Sequence, residues 1–146
     1  MKKKIFTGFL ITLIFVSCAH EKKSPHLGAW QLVSWKHLKG DTLDWQFPGD
    51  LTGSNILIFS ERHILSVGLF KKDTAVINNY VGAFYSLDGN RLEETLLYSP
   101  KPGMVGKTVK QIFEIQNDTL KKSYPCDENW GLIKSEYFIE KYVKLE

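Results

Sequence analysis

A series of short segments in which apolar and polar residues alternate is the feature that most constrains the fold. The alternation runs from Ala29 to near the C-terminal end, and Gly, Pro, Asn and Asp residues separate the segments. A period of two is typical of strands that bury one face, whereas helical periodicity is weak throughout. The pattern predicts eight strands, at residues 29–37, 55–60, 63–70, 76–87, 91–99, 108–115, 119–124 and 135–145.

Turn residues connect several of these segments directly. Asp88-Gly89 lies between two segments and supplies the positive φ angles of a tight hairpin turn. Asn117-Asp118 predicts a second turn, and residues 60–62 predict a third. Because successive hairpins form a meander, and eight strands can close without exposed edges, the predicted fold is all-β. We expect an eight-stranded antiparallel up-and-down barrel, with a sandwich as the alternative.

The longest stretch without a regular pattern spans residues 39–52. It contains Trp45, Phe47 and Pro48 and is predicted to form an irregular loop. Exposed aromatic side chains in a loop are suited to anchor a protein interface. The same side chains could instead fold back onto the barrel as a lid.

The N-terminal residues are typical of an export signal. Three lysines precede an apolar run of 12 residues from Ile5 to Val16, and Ser17-Cys18 follow. The run is shorter than the roughly 20 apolar residues of a membrane-spanning helix. A cysteine at the cleavage position resembles bacterial lipoprotein signals, although Phe15 stands where leucine is usual.

This resemblance implies three parts of the chain. They are a signal peptide at residues 1–17, the lipidated Cys18 with a flexible tether at 18–25, and a barrel domain at 26–146. It also implies a lipid anchor on a membrane of the bacterial cell envelope. Because no acidic run follows Cys18, we expect the domain to face the periplasm.

Charge and motif content argue against several function classes. The chain has 19 basic and 16 acidic residues, and removal of the three N-terminal lysines leaves 16 of each. A neutral domain gives no electrostatic support for nucleic-acid binding. The sequence shows no metal-ligand spacing, cofactor motif or nucleophile–base pair, so we expect neither an enzyme nor a cofactor. Cys126 would be the only unmodified cysteine, so no intrachain disulfide is expected.

The first strand carries a family resemblance. Gly28-Ala29-Trp30 matches the Gly-x-Trp signature of lipocalins, and its continuation to Ser34 is similar to small bacterial lipocalin-like domains. Residues 85–90, 94–98 and 105–108 resemble segments in and after the central hairpin of those domains. The resemblance implies a calycin-type barrel in which Trp30 closes one end. It also implies a basic residue of the last strand over that indole, here Lys141.

Glu94 is the most informative polar residue because it shares a strand face with Leu92, Leu96 and Tyr98. An inward carboxylate needs a hydrogen bond or a counter-charge, for which a tyrosine or lysine would serve. It could also orient an apolar ligand, since an eight-stranded barrel either is filled or holds one small molecule. The predicted ligand-binding residues are Leu32, Tyr85, Glu94, Leu96, Tyr98 and Phe113.

Two functions therefore remain open at this point. The first is a lipid-anchored binding protein that holds a small hydrophobic or amphipathic ligand in its barrel. The alternative is a non-catalytic protein with a filled barrel, whose loop around Trp45 and Phe47 docks onto another envelope protein.

Overall fold

The computed structural model describes residues 24–145, which form nine antiparallel strands and no helix. The strands are β1 (Gly28–Lys39), β2 (Thr42–Phe47), β3 (Thr52–Phe59), β4 (His63–Lys72), β5 (Ala75–Asp88), β6 (Arg91–Tyr98), β7 (Thr108–Gln116), β8 (Thr119–Tyr124) and β9 (Tyr137–Lys144).

Eight of the strands close into a barrel. The order is β1-β3-β4-β5-β6-β7-β8-β9, and β9 pairs back onto β1. This last pairing runs from Trp30 opposite Lys144 to Leu38 opposite Tyr137. Every pairing is antiparallel, and every connection along the barrel joins neighbouring strands except that β2 is inserted between β1 and β3. The predicted eight-stranded antiparallel barrel is confirmed, with β2 as one additional strand.

The predicted turns are confirmed. Gly89-Asn90 connects β5 to β6, and Gly89 has a φ of 59° that the absence of a side chain makes easy to adopt. Asn117-Asp118 connects β7 to β8 with a φ of 53° at Asn117. Residues 60–62 join β3 to β4.

The prediction of an irregular loop at residues 39–52 is wrong over its central part. β2 runs back along β1, with Thr42 opposite Lys39 and Phe47 opposite Trp35. The register shifts after His37, which leaves one extra residue in β2 and breaks the simple alternation of a strand. That bulge explains why the sequence pattern of this segment did not indicate a strand.

The aromatic side chains of β2 fold back onto the barrel. The ring of Trp45 lies 4.7 Å from that of Trp35, edge to face, and Phe47 lies 5.3 Å from Phe70. Both side chains are half-buried against the hydrophobic core. Of the two arrangements open for this segment, the structure shows the one that folds back.

A second bulge changes which residues of β1 face inward. The register of β1 against β9 shifts between Leu32 and Ser34, so Val33 has no opposite residue. Leu32 is buried and Val33 is 41% exposed, as alternation requires. Beyond the bulge the inward positions become odd-numbered, so Trp35 lines the interior and His37 is buried.

Trp30, the residue predicted to close the barrel, lies at one of its ends. Its side chain is fully buried, and its indole Nε1 donates a hydrogen bond of 2.8 Å to the carbonyl of His26. The cation over the ring is Lys144, with Nζ 5.1 Å from the ring centroid. The assignment of Lys141 is therefore wrong. Lys141 is exposed because it alternates with the inward residue Tyr142, and Lys144 lies on the inward side at the strand end.

The same end is filled by an aromatic cluster around His26. The His26 ring lies 5.7 Å from Phe59, 5.7 Å from Tyr85 and 6.2 Å from Phe113, each time edge to face. Its Nε2 is also hydrogen-bonded to the Tyr85 hydroxyl at 2.9 Å. We call this end, defined by His26, Trp30, Phe59, Tyr85 and Phe113, the plugged end.

Candidate functional site

Away from the plugged end, the barrel interior contains a cavity of about 300 Å³. This volume is at the lower end of the range for small-molecule sites. Its apolar wall comes from several strands and includes Ile64, Val81, Leu96, Val109 and Phe138. The connection between β6 and β7 contributes the exposed Lys101 and the half-buried Ser99 and Met104, so the cavity opens at that end of the barrel.

Three buried charged side chains lie on the cavity wall. Glu94 of β6, Lys122 of β8 and Glu140 of β9 each expose at most 8% of their surface. The Lys122 Nζ lies 3.2 Å from Glu94 Oε1 and 3.5 Å from Glu140 Oε2. We call these three residues the charged cluster. Buried charges of this kind are tolerated only when paired.

Two tyrosine hydroxyls form hydrogen bonds with Glu140. The Tyr124 hydroxyl donates to Glu140 Oε1 and the Tyr142 hydroxyl to Oε2, both at 2.7 Å. Burial raises the pKa of both phenols well above the usual value of 10, and the Glu140 charge adds to both shifts. Both tyrosines therefore stay neutral hydrogen-bond donors over the physiological pH range.

Lys122 remains charged despite its burial. Burial alone would lower the pKa of its ammonium group, but the charges and hydrogen bonds of Glu94 and Glu140 outweigh that effect and raise it. The two carboxylates and the one ammonium group give the charged cluster a formal charge of −1.

Two buried polar atoms on the same cavity make no hydrogen bond of good geometry to any residue in the described range 24–145. They are the indole Nε1 of Trp35 and the side-chain Oε1 of Gln111, which is itself only 2% exposed. A side-chain interaction of Trp35 lowers the pKa of the Tyr124 phenol, so the indole is directed toward that hydroxyl although its geometry falls short of a full hydrogen bond. An unmade hydrogen bond of a buried group costs about 1–3 kcal/mol. The Gln111 acceptor is thus left for a donor of a molecule in the cavity.

The opposite wall contains a polar network whose groups are paired. The Asn55 Nδ2 donates to Ser66 Oγ at 3.0 Å, and Asn79 Nδ2 donates to Asn55 Oδ1 at 2.8 Å. Gly68 makes room for it, because a Cβ there would lie 2.5 Å from Asn55 Oδ1. The unpaired acceptor of Gln111 therefore contrasts with a wall in which polar groups satisfy one another.

The structure separates the predicted ligand-binding residues into three groups. Glu94 and Leu96 line the cavity, and the inward orientation predicted for that face of β6 is confirmed for both. Leu32 is buried in the core, and Tyr85 and Phe113 belong to the plugged end. None of these last three residues lines the cavity.

The placement of Tyr98 in the interior is wrong. The register of β6 against β5 goes from Leu96 opposite Ala83 to Tyr98 opposite Gly82, so Leu97 is an extra residue. This bulge reverses the alternation, and Tyr98 points outward with 68% of its surface exposed. Its ring packs over Gly82, where a Cβ would lie 2.9 Å from a ring carbon.

Sequence reasoning missed most of the polar cavity wall. Glu140 could have been found, since it is two residues from both Phe138 and Tyr142 and must share their face. Lys122 is likewise two residues from both Leu120 and Tyr124. Trp35 was hidden by the bulge in β1, which the sequence does not mark.

A cysteine and the possible metal ligands are the other groups of chemical interest in the described part of the chain. Cys126 is buried, and burial raises the pKa of its thiol, so it is held protonated rather than as a nucleophilic thiolate. Within residues 24–145, no three His, Cys, Asp or Glu side chains are grouped to hold a metal ion. The same residues contain no helix long and apolar enough to cross a membrane.

Comparisons with protein-family models, curated proteins and solved structures found no match to this chain. The closed eight-stranded antiparallel barrel is compatible with a lipocalin-like, calycin-type fold.

Proposed function

We propose that this chain is a lipocalin-like binding protein that holds one small hydrophobic or amphipathic molecule in its barrel. The cavity of about 300 Å³, with an apolar wall and the unpartnered buried acceptor of Gln111, is the observation that carries the proposal. A packed barrel core would fill such a space and pair such an acceptor, since native interiors have few voids larger than a water molecule. A bound molecule would supply the missing contacts.

The alternative of a filled barrel with a docking loop has less support. The side chains expected to dock, Trp45 and Phe47, are half-buried and pack on Trp35 and Phe70. In that position they pack against the core and are not presented as an interface anchor. The cavity argues against a filled barrel independently of the loop.

Titration with a neutral fluorescent probe, N-phenylnaphthylamine, tests the proposed binding. Its fluorescence should rise saturably with about one site per chain. Leu96→Trp should abolish this binding, because the larger side chain would occupy the cavity that Leu96 lines. The control is Leu97→Trp, which adds the same group at the neighbouring bulge residue, outside the cavity lining.

Two results would count against the binding function. One is the absence of saturable fluorescence with the folded wild-type protein. The other is an equal loss of probe binding in both variants when both retain the wild-type melting temperature.

We further propose that the protein is lipid-anchored through Cys18 in a bacterial envelope, facing the periplasm. Cys18 and the signal segment lie outside the described residues. Geometry supports an orientation for such an anchor, because the Lys144 Nζ donates to the carbonyl of Pro25 at 2.7 Å beside the plugged end. The cavity opens beside the β6–β7 connection, at the opposite end of β6 from Gly89-Asn90. A tether leaving at the plugged end would thus direct the cavity opening away from the membrane.

Cell fractionation tests the anchor. Cys18→Ser should release the mature domain from the membrane fraction, because two or more acyl chains are needed for stable anchoring. Cys126→Ser is the matched control and should stay in the membrane fraction. Wild-type protein found wholly in the soluble fraction would refute the anchor without affecting the binding proposal.

A further inference from the structure

We infer that the molecule bound in the cavity carries a protonated amine at its polar end, and that the cavity discriminates against fatty-acid anions. The inference rests on the proposed binding function and specifies its ligand class. It follows from the charges and hydrogen-bond partners on the cavity wall.

The formal charge of the wall favours a cation. Two carboxylates, Glu94 and Glu140, face one ammonium group, that of Lys122, and all three are buried. Lys101 also lines the cavity, but it is exposed at the opening, where solvent and salt screen its charge. An incoming carboxylate would meet a net negative wall in which the buried cation already has two partners. An incoming ammonium group would bring the cluster to neutrality.

The two carboxylates differ in how well they are satisfied. Glu140 accepts hydrogen bonds from two tyrosine hydroxyls and also lies near Lys122. Glu94 accepts one hydrogen bond, from Lys122 at 3.2 Å. Glu94 is therefore the carboxylate with capacity for a ligand donor, since an ionised carboxylate has about four lone-pair positions.

A second acceptor lies beside Glu94 on the same face of the sheet. Glu94 is opposite Val109 in the β6–β7 pairing, and Gln111 is two residues further along β7. Such diagonal neighbours have Cα atoms about 7–8 Å apart, within reach of long side chains. The Gln111 Oε1 is the buried acceptor without a partner. An ammonium group has three donors and could reach both acceptors, whereas a carboxylate has none to offer.

The rest of the cavity suits an apolar body attached to that amine. Leu96, Val109 and Phe138 line it. Burying the apolar part contributes to the affinity of every such ligand, and the polar end sets the preference among ligands of equal chain length. The ligand class is therefore an amphiphile with an amine head and a short apolar tail.

Displacement of N-phenylnaphthylamine by octylamine, octanol and octanoate tests the inference at constant chain length. At neutral pH octylamine should bind at least about tenfold more tightly than octanoate, as expected for one charge-assisted hydrogen bond gained. Octanol should lie between them.

Variants connect this preference to the named side chains. Glu94→Gln keeps the size of the side chain and removes its charge, and it should weaken octylamine binding about tenfold or more. Glu93→Gln is the matched control: Glu93 is the adjacent carboxylate, absent from the cavity lining, and its change should leave all affinities unaltered. Should Glu94→Gln fail to fold, Gln111→Leu keeps every charge and should weaken octylamine several-fold more than the probe.

The outcomes separate this inference from the proposed function. Octanoate binding as tightly as octylamine, or octylamine failing to displace a bound probe, overturns the amine preference alone. If neither the probe nor any octyl compound binds, the proposed binding function fails and the inference fails with it. Equal octylamine affinity in wild type, Glu94→Gln and Gln111→Leu would also overturn the inference.

Discussion

Lys122→Met is the perturbation whose consequence the charged cluster determines most sharply. Lys122 is 5% exposed and lies between Glu94 and Glu140, at 3.2 and 3.5 Å. Methionine has a similar length and an apolar end, so packing changes little while the counter-charge of both carboxylates disappears. Glu140 keeps its tyrosine donors, and Glu94 loses the ammonium group that pairs with it.

Removing one partner of a buried ion pair costs about 3–5 kcal/mol, because a buried charge is left uncompensated. For a domain of this size that corresponds to a fall in melting temperature of roughly 10–25 °C. Adding Glu94→Gln to Lys122→Met should recover part of the loss, since the stranded charge is then removed. The two substitutions should therefore be strongly non-additive.

Urea unfolding followed by tryptophan fluorescence measures the free energy of unfolding for each variant. Lys121→Met is the matched control, since the neighbouring Lys121 forms an exposed ion pair with Glu114 at 2.8 Å and should cost at most about 1 kcal/mol. Equal unfolding free energies for the two lysine variants at neutral pH would show that Lys122 is not the buried counter-charge of Glu94 and Glu140.

Two other predictions concern the buried side chain of His37 and the loss of stability at alkaline pH. His37→Leu should lower the free energy of unfolding by about 1–3 kcal/mol, because buried His37 joins Asp44 at 2.8 Å and Glu136 at 2.9 Å; an unchanged urea midpoint would contradict this. Folding raises the pKa values of Tyr124 and Tyr142. The free energy of unfolding that these neutral phenols contribute is therefore complete below the unfolded pKa of about 10, and it is lost as pH rises through their folded pKa values. Phenolate absorbance should then show two tyrosines that ionise only on unfolding, and ionisation of every tyrosine in the folded protein would refute the prediction.

The barrel could be predicted because its information is local. Alternation marks seven of the strands and much of β1, and short turn sequences such as Asp88-Gly89 fix which strands are neighbours. A closed meander then follows from strand number and connection length. Strand β2 escaped because a bulge in its pairing with β1 breaks the period on which the argument depends.

The site could be predicted only in part. Its residues come together through the pairing register of strands that are distant in sequence, which no local pattern reveals. Glu94 was placed correctly from its own strand, but its partners come from β8 and β9. Tyr98 and Trp35 were misplaced or missed because one-residue bulges reverse the inward face, and a single extra residue leaves no distinct composition in the sequence. Lys141 was chosen in place of Lys144 for a related reason. The family resemblance implies a basic residue on the last strand, but not which position of that strand faces inward.

The measurement that tests the binding function most directly is native mass spectrometry of the protein purified gently from cells that produce it naturally. We expect one bound amphipathic molecule per chain, with an amine detectable in the released compound. The adduct should be absent from Leu96→Trp, whose substituted side chain would fill the cavity, and present in Leu97→Trp. Repeated preparations that show only the bare protein mass, from material that also fails to bind N-phenylnaphthylamine, would contradict the account.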